Sequence, residues 1–229
     1  MTAFNIITAT FVMVLVLVPS VASKFIAVGP VNVSGATLFF PITFIITDVL
    51  TDVYGYKRSR QVIWIGLASQ IFTALVYWLV CILPGAPFWH DQKSYETILG
   101  VAPRITLASF LAYTSGEFAN SVIISKMKYS QGGARGLQQA WRFVASTIAG
   151  EAVDSVVFLA VGFWGTMPAS DLIATMLTIY LVKVVYEIVA LPFSTRLANW
   201  LKTIEHTDIT DTPQDTDYNP FNLQPSKVI

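Results

Sequence analysis

Residues 37–55 read Thr-Leu-Phe-Phe-Pro-Ile-Thr-Phe-Ile-Ile-Thr-Asp-Val-Leu-Thr-Asp-Val-Tyr-Gly. A helix needs roughly 20 mostly apolar residues to cross a hydrocarbon core of about 30 Å, and this run has that length. It also carries Asp48 and Asp52, four apart on one helical face, beside a second such pair, Thr47 and Thr51. A carboxylate at mid-membrane costs about 2.5–3.5 kcal/mol on insertion scales. The stretch therefore reads as a membrane span that turns a polar face toward other spans. Pro41 within it predicts a kink or a break, which would expose backbone groups inside the membrane.

The whole chain agrees. Its 229 residues are 54% hydrophobic and only 12% charged, with a mean hydropathy of +0.61, whereas a soluble chain carries about 25% charged residues. Too little polar material exists to coat a soluble globule. High hydrophobicity also excludes a disordered chain, Cys81 as the single cysteine excludes a disulfide scaffold, and a net charge of +0 leaves no field to draw nucleic acid.

Five more runs have spanning length: residues 2–23, 61–83, 105–125, 138–165 and 172–200. The fold class is thus all-α, a polytopic membrane protein of six transmembrane helices. Residues 1–204 form the membrane domain, with no room for a separate soluble one. Residues 205–229, acidic and punctuated by Pro213, Pro220 and Pro225, read as a disordered cytoplasmic tail. Ser20-Val21-Ala22-Ser23 resembles a signal-cleavage site, but no Lys or Arg precedes the apolar run, which is also long for a signal. Lys57, Arg58 and Arg60, then Lys126, Lys128, Arg135 and Arg142, then Arg196 and Lys202 all fall on one side of a six-span chain. The other side has only Lys24, Lys93 and Arg104. Basic connectors stay cytoplasmic, so both termini are expected in the cytoplasm.

The costly residues are the acids inside spans: Asp48, Asp52, Glu117, Glu151, Asp154 and Glu187, with Lys183 the one cation at comparable depth. Spans four and five share a pattern, Gly116-Glu117-Phe118-Ala119-Asn120-Ser121 and Gly150-Glu151-Ala152-Val153-Asp154-Ser155. Each sets a carboxylate and a second polar group three positions on along one helical stripe. Lys183 and Glu187, four apart, could simply form an ion pair within their helix. One such acid is readily explained by a bond to a neighbouring helix. Carboxylates from four helices at similar depth instead build a midplane chamber of the kind where transporters bind substrate. Such crowding cannot stay fully ionised. At least one acid is expected to hold a proton, or Lys183 or a cationic ligand compensates. Tyr113, one turn before Glu117 on the same face, could stack on a flat ligand. Gly132 and Gly136 have helix-dimer spacing but fall in a basic connector. His90 and His206 lie outside the spans, so no metal site and no cofactor is expected.

Together these segments resemble the queuosine-precursor transporters, a group allied to vitamin-uptake transporters. The resemblance rests on Phe40-Pro41, Asp48 and the Gly55/Arg58/Arg60 turn, and on Ala108-Ser109-Phe110 through Gly116. It continues through Arg142, Ser146-Thr147, Gly150 and Asp154-Ser155 to Tyr180, Lys183 and Pro192. It implies uptake of 7-cyano-7-deazaguanine, and of the 7-aminomethyl base, across the inner membrane for salvage into tRNA queuosine. The expected partners are then that small molecule and the bilayer, not nucleic acid, with a homodimer compatible. A guanine-like edge presents a ring N–H beside an amine, and one carboxylate, Glu117 or Asp154, can accept both bonds. Asn120 would read the carbonyl side, Lys183 would donate to the carbonyl oxygen, and Asp48 would face the 7-substituent or carry a coupling proton. Arg142 and Thr147 would support the site, and the acids Asp52, Glu151 and Glu187 fall outside the pattern of the resemblance. Rival readings are a cation or drug exchanger, a binding component of an energy-coupled complex, and an intramembrane protease built on Asp48 and Asp154. No nucleophile motif or nucleotide loop is present.

Overall fold

The computed structural model describes residues 2–22, 24–28, 31–100, 103–165 and 168–222. Helix α1 (Ala3–Ala22) leads through a short antiparallel hairpin, β1 (Phe25–Val28) and β2 (Val31–Ser34), into α2 (Gly35–Phe39) and α3 (Pro41–Tyr54). Then follow α4 (Tyr56–Ile82), the short α5 (Gln92–Leu99), α6 (Pro103–Ser130), α7 (Leu137–Phe163) and α8 (Ala169–Ile204). Six helical stretches are long and apolar enough to cross a membrane, with α2 and α3 counted as one. The hairpin is a small addition to an otherwise all-helical fold. Pro41 opens α3 where α2 stops, because proline has no N–H to give the preceding turn and suits the first turn of a new helix.

Helix α3 is the central element. All its residues except Ile42 are buried, and Val49, Leu50 and Val53 pack with Phe11 and Leu15 of α1, Ile63 of α4, and Ile124 of α6. The outer helices invert this pattern, since Phe72 and Leu75 of α4 and Val185 and Val189 of α8 are exposed. Large apolar side chains pointing outward are stable only against lipid.

The most extensive pairing joins α6 and α7, and the repeated Gly-Glu pattern explains it. A methyl on Gly116 would stand 2.9 Å from Asp154 Cβ and 3.0 Å from the Gly150 carbonyl oxygen. One on Gly150 would stand 2.9 Å from Asn120 Cβ and 3.0 Å from the Gly116 carbonyl. The two backbones therefore touch, as small residues permit between membrane helices. Gly132 and Gly136, by contrast, adopt positive φ in the α6–α7 connector and make no such contact.

Both chain ends meet at one end of the bundle, where Glu205 accepts from the Ala3 amide at 2.5 Å and from the Tyr54 hydroxyl at 2.7 Å. The expectation of a disordered tail fails for residues 205–222, which lie as a strap across this end. Asp208 binds Lys128 at 2.5 Å and Lys202 at 2.9 Å, with Arg135 at 3.2 Å. Asp211 accepts from the Tyr56 amide and from Ser125. Arg60 donates to the carbonyls of Asp217 and Asn219, and Trp64 to that of Pro220. Acidity and proline suggested disorder, but the acids neutralise cationic helix ends contributed by distant parts of the chain. Residues 223–229 of that tail, and Ser23 at the end of the first expected span, lie outside the described residues.

Replacing Gly150 with Val should lower stability by about 1–3 kcal/mol through overpacking, read as a fall in the detergent melting temperature. An unchanged melt would mean that α6 and α7 do not touch there. Burial raises the Asp208 pKa, but bonds from Lys128 and Lys202 outweigh it and bring the carboxyl down to about 2. A depressed carboxylate pKa gives stability above the unfolded value of about 3.9 that is lost as pH falls through the folded one. Strap docking, followed by limited proteolysis, should thus be constant from about pH 8 to 5 and weaken only below about 4. Asp208→Asn should expose the strap to protease at neutral pH.

Candidate functional site

A cavity of about 370 Å³ lies in the half of the bundle away from the chain ends. Its walls come from the end of α1, from α2, from the end of α4, and from the facing parts of α6, α7 and α8. Phe40, Phe110 and Phe158 supply aromatic surface, and Asp154 and Lys183 are its charged groups. Lys183 pairs directly with Asp154, and its Nζ is 2.7 Å from Glu151 Oε2. The same ammonium sits 4.8 Å from the centroid of the Phe40 ring, near enough for a cation–π contact. Lys183 thus reaches across to α7 and does not form the pair with Glu187 that their spacing allowed. One cation held by two carboxylates and an aromatic face satisfies the rule that buried charge must be partnered.

Asp154 and Lys183 form the floor of the cavity, and behind it lie three more of the acids expected in the chamber, Asp48, Glu117 and Glu187. Asn120 Nδ2 donates to Asp48 Oδ1 at 2.6 Å, both residues fully buried. Neither oxygen of Glu117 nor of Glu187 has a hydrogen bond of good geometry, and Asp48 Oδ2 and the Thr147 hydroxyl are likewise without one. Thr43 and Thr47 flank Glu117, and Glu187 lies beside Asp48. Leaving buried polar atoms unpaired is costly, and these neighbours are close enough to share hydrogen bonds with the carboxyls. Among the described residues no cluster of His, Cys, Asp and Glu is arranged to hold a metal ion.

Tyr113 is not available for stacking. It is 1% exposed and donates to the Ile63 carbonyl at 3.1 Å, in space that Gly66 leaves open beside Phe11. One turn was enough to aim Tyr113 at α4 while Glu117 faces α3.

Asp52 and Arg142 belong to a second, separate cluster at the end where the termini meet. Arg142 Nε donates to Asp52 Oδ1 at 2.7 Å, Gln139 Nε2 to Oδ2 at 2.8 Å, and Lys202 stands 2.9 Å from Oδ2. Lys128 Nζ donates to the Asp52 carbonyl at 2.6 Å and to Asp208, tying the strap to the cluster. All these side chains except that of Asp208 are buried. Reading the sequence missed Gln139, Lys128 and Lys202. Lys128 was read as a connector base beyond a span ending at residue 125, but α6 continues to Ser130, which draws that base into the bundle. The two clusters show what i,i+4 spacing on α3 does: Asp48 stands with Asn120 behind the cavity floor and Asp52 one turn on with Arg142.

No solved structure matches the chain. Three curated relatives do. A Bacillus subtilis protein named "Probable queuosine precursor transporter" is 29% identical over 164 residues, 71% of this chain and 68% of the relative. An Escherichia coli "Queuosine precursor transporter" is 24% identical over 150 residues, 62% of this chain and 63% of the relative. For a Haemophilus influenzae "Probable queuosine precursor transporter" the figures are 23%, 129 residues, 56% and 51%. The chain thus spans about half to two thirds of the length of these relatives. These relatives are transporters, not enzymes, which sets aside the protease reading. Residues 34–197, from the start of α2 through the cavity floor to most of α8, match the family described as "Putative vitamin uptake transporter", and this multi-pass membrane chain belongs to that family.

Proposed function

We propose that the chain takes up queuosine precursors, 7-cyano-7-deazaguanine and its 7-aminomethyl relative, across the bacterial inner membrane as a proton-coupled secondary transporter. The observation that carries this reading is the Asp154–Lys183 pair on the floor of an aromatic-walled cavity. A guanine-like ring offers donors and an acceptor side by side. Asp154 can accept from the ring N–H and the exocyclic amine, while Lys183 donates to the carbonyl oxygen. The phenylalanine walls suit a flat heteroaromatic body. The relatives' names support the same substrate class.

Proton coupling draws its support from the carboxyls behind the floor. Asp48, Glu117 and Glu187 have no cation among them, and repulsion in a low-dielectric interior disfavours ionising all three together. Substrate that draws Lys183 away from Glu151 would change the field on this group and so exchange a proton. The basic end of the bundle faces the cytoplasm by the positive-inside rule. In that orientation the cavity lies in the outer half of the membrane, and the Asp52 cluster with its strap closes the inner end.

A strain unable to make the precursor, fed nanomolar 7-cyano-7-deazaguanine, should carry queuosine in its tRNA when it expresses this chain. Asp154→Asn or Lys183→Met should reduce uptake by about 10-fold or more, since each removes a charge-assisted bond. Equal modification in wild type and variants would overturn the site, and none with wild type would overturn the substrate. Uptake by the chain alone in liposomes should require an inward proton gradient and stop with a protonophore. Glu117→Gln should still bind substrate and lose that gradient dependence. Transport that needs a co-purified ATPase would favour an energy-coupled component instead, and proton exchange with cations but no deazaguanine would favour an exchanger.

A further inference from the structure

Helix α4 presents one stripe to the cavity, Gln70, Thr73, Tyr77 and Cys81, at the spacing of a single helical face. Two of its polar groups are already engaged. The Tyr77 hydroxyl bonds Ser20 Oγ at 2.7 Å, and Thr73 donates to the Ser69 carbonyl at 2.8 Å. Gln70 is different. Only 8% of it is exposed, its Oε1 is buried without a partner, and its amide makes no hydrogen bond among the described residues. A buried carboxamide is retained in a membrane helix only at a cost, and one left unpaired on a cavity wall calls for a partner. It reaches the cavity from α4, whereas Asp154 and Lys183 reach it from α7 and α8.

We infer that Gln70 reads the N3/N9 edge of the substrate ring and thereby selects free bases over nucleosides. This rests on the proposed substrate class. With the N1–H and amine edge on Asp154 and the carbonyl on Lys183, the ring edge remote from the carbonyl is left over. In a free 7-deazaguanine that edge carries N3, an acceptor, beside N9–H, a donor. A carboxamide is its complement: Oε1 accepts from N9–H while Nε2 donates to N3. Two parallel bonds form, by the logic with which Gln reads the donor–acceptor edge of adenine. A nucleoside carries its sugar on N9, which removes the donor and puts bulk where Gln70 stands. Asp154 and Lys183 thus recognise a guanine pattern, and Gln70 recognises a bare ring nitrogen.

Purified chain in liposomes, taking up labelled 7-cyano-7-deazaguanine, tests this with unlabelled 7-deazaguanine, its 9-methyl derivative and its ribonucleoside as competitors. Wild type should favour the free base over the 9-methyl compound by about 10-fold or more, the worth of one good bidentate pair. Gln70→Leu, close in size and apolar, should raise KM by about 10-fold and shrink the free-base preference to within about 3-fold. Gln70→Glu keeps the acceptor for N9–H and loses the donor to N3, so it should retain part of the preference. An undiminished preference in Gln70→Leu, or a wild type that accepts the 9-methyl compound equally, overturns the inference while leaving the substrate class standing. A wild type that takes up no deazaguanine overturns the substrate class and this inference with it. Should Gln70→Leu not accumulate in the membrane, the same ratio measured in Gln70→Asn and Gln70→Glu decides.

Discussion

The bundle depends on the contact between Gly116 and Gly150. Each glycine removes a side chain where the other helix's carbonyl comes within 3.0 Å of the site for a Cβ. That approach sets Glu117 and Asn120 of α6 beside Glu151 and Asp154 of α7, and Lys183 of α8 holds the last two. Glycine is a poor helix former, yet here its lack of a side chain is the feature that matters. Against lipid no hydrophobic force drives helices together, so close packing and polar bonds must do it.

A second constraint sorts the charges. Buried acids and bases are tolerable only with partners, and the chain meets this with two arrangements at opposite depths. At the end where the termini meet, Asp52 is surrounded by Arg142, Lys202 and Gln139, which fix its position. Toward the cavity, Lys183 is shared and the carboxyls behind it lack cations. The first arrangement pairs its charges fully, and the second leaves carboxyls without a cation.

Much of this was legible in the residues. Spans of about 20 apolar residues, the break at Pro41 and a clustering of intramembrane acids follow from hydropathy and helical spacing, although Asp52, expected with Asp48, Glu117, Glu151, Asp154 and Glu187, stands apart with Arg142 and Lys202. What spacing could not give was the choice among partners. Lys183 had Glu187 one turn away and Asp154 across the α7–α8 interface, and only the packing of those two helices, invisible to spacing along one helix, favours the second. The direction of Tyr113 was hidden for the same reason, because its aim depends on the gap at Gly66 in another helix. Gln70 escaped notice since a single amide in an apolar run carries no pattern. The strap was misread because composition describes a segment by itself, whereas its Asp208 is answered by Lys128, Lys202 and Arg135 and two of its carbonyls by Arg60, all from elsewhere in the chain.

The strap also makes distant helices share one carboxylate. Asp208 binds Lys128 near the end of α6 and Lys202 near the end of α8, and Lys128 reaches on to the Asp52 carbonyl of α3. One side chain outside the helices thus ties three of them together. Without it Arg142, Lys128 and Lys202 would crowd around the single carboxylate of Asp52, and buried charge lacking a partner is costly.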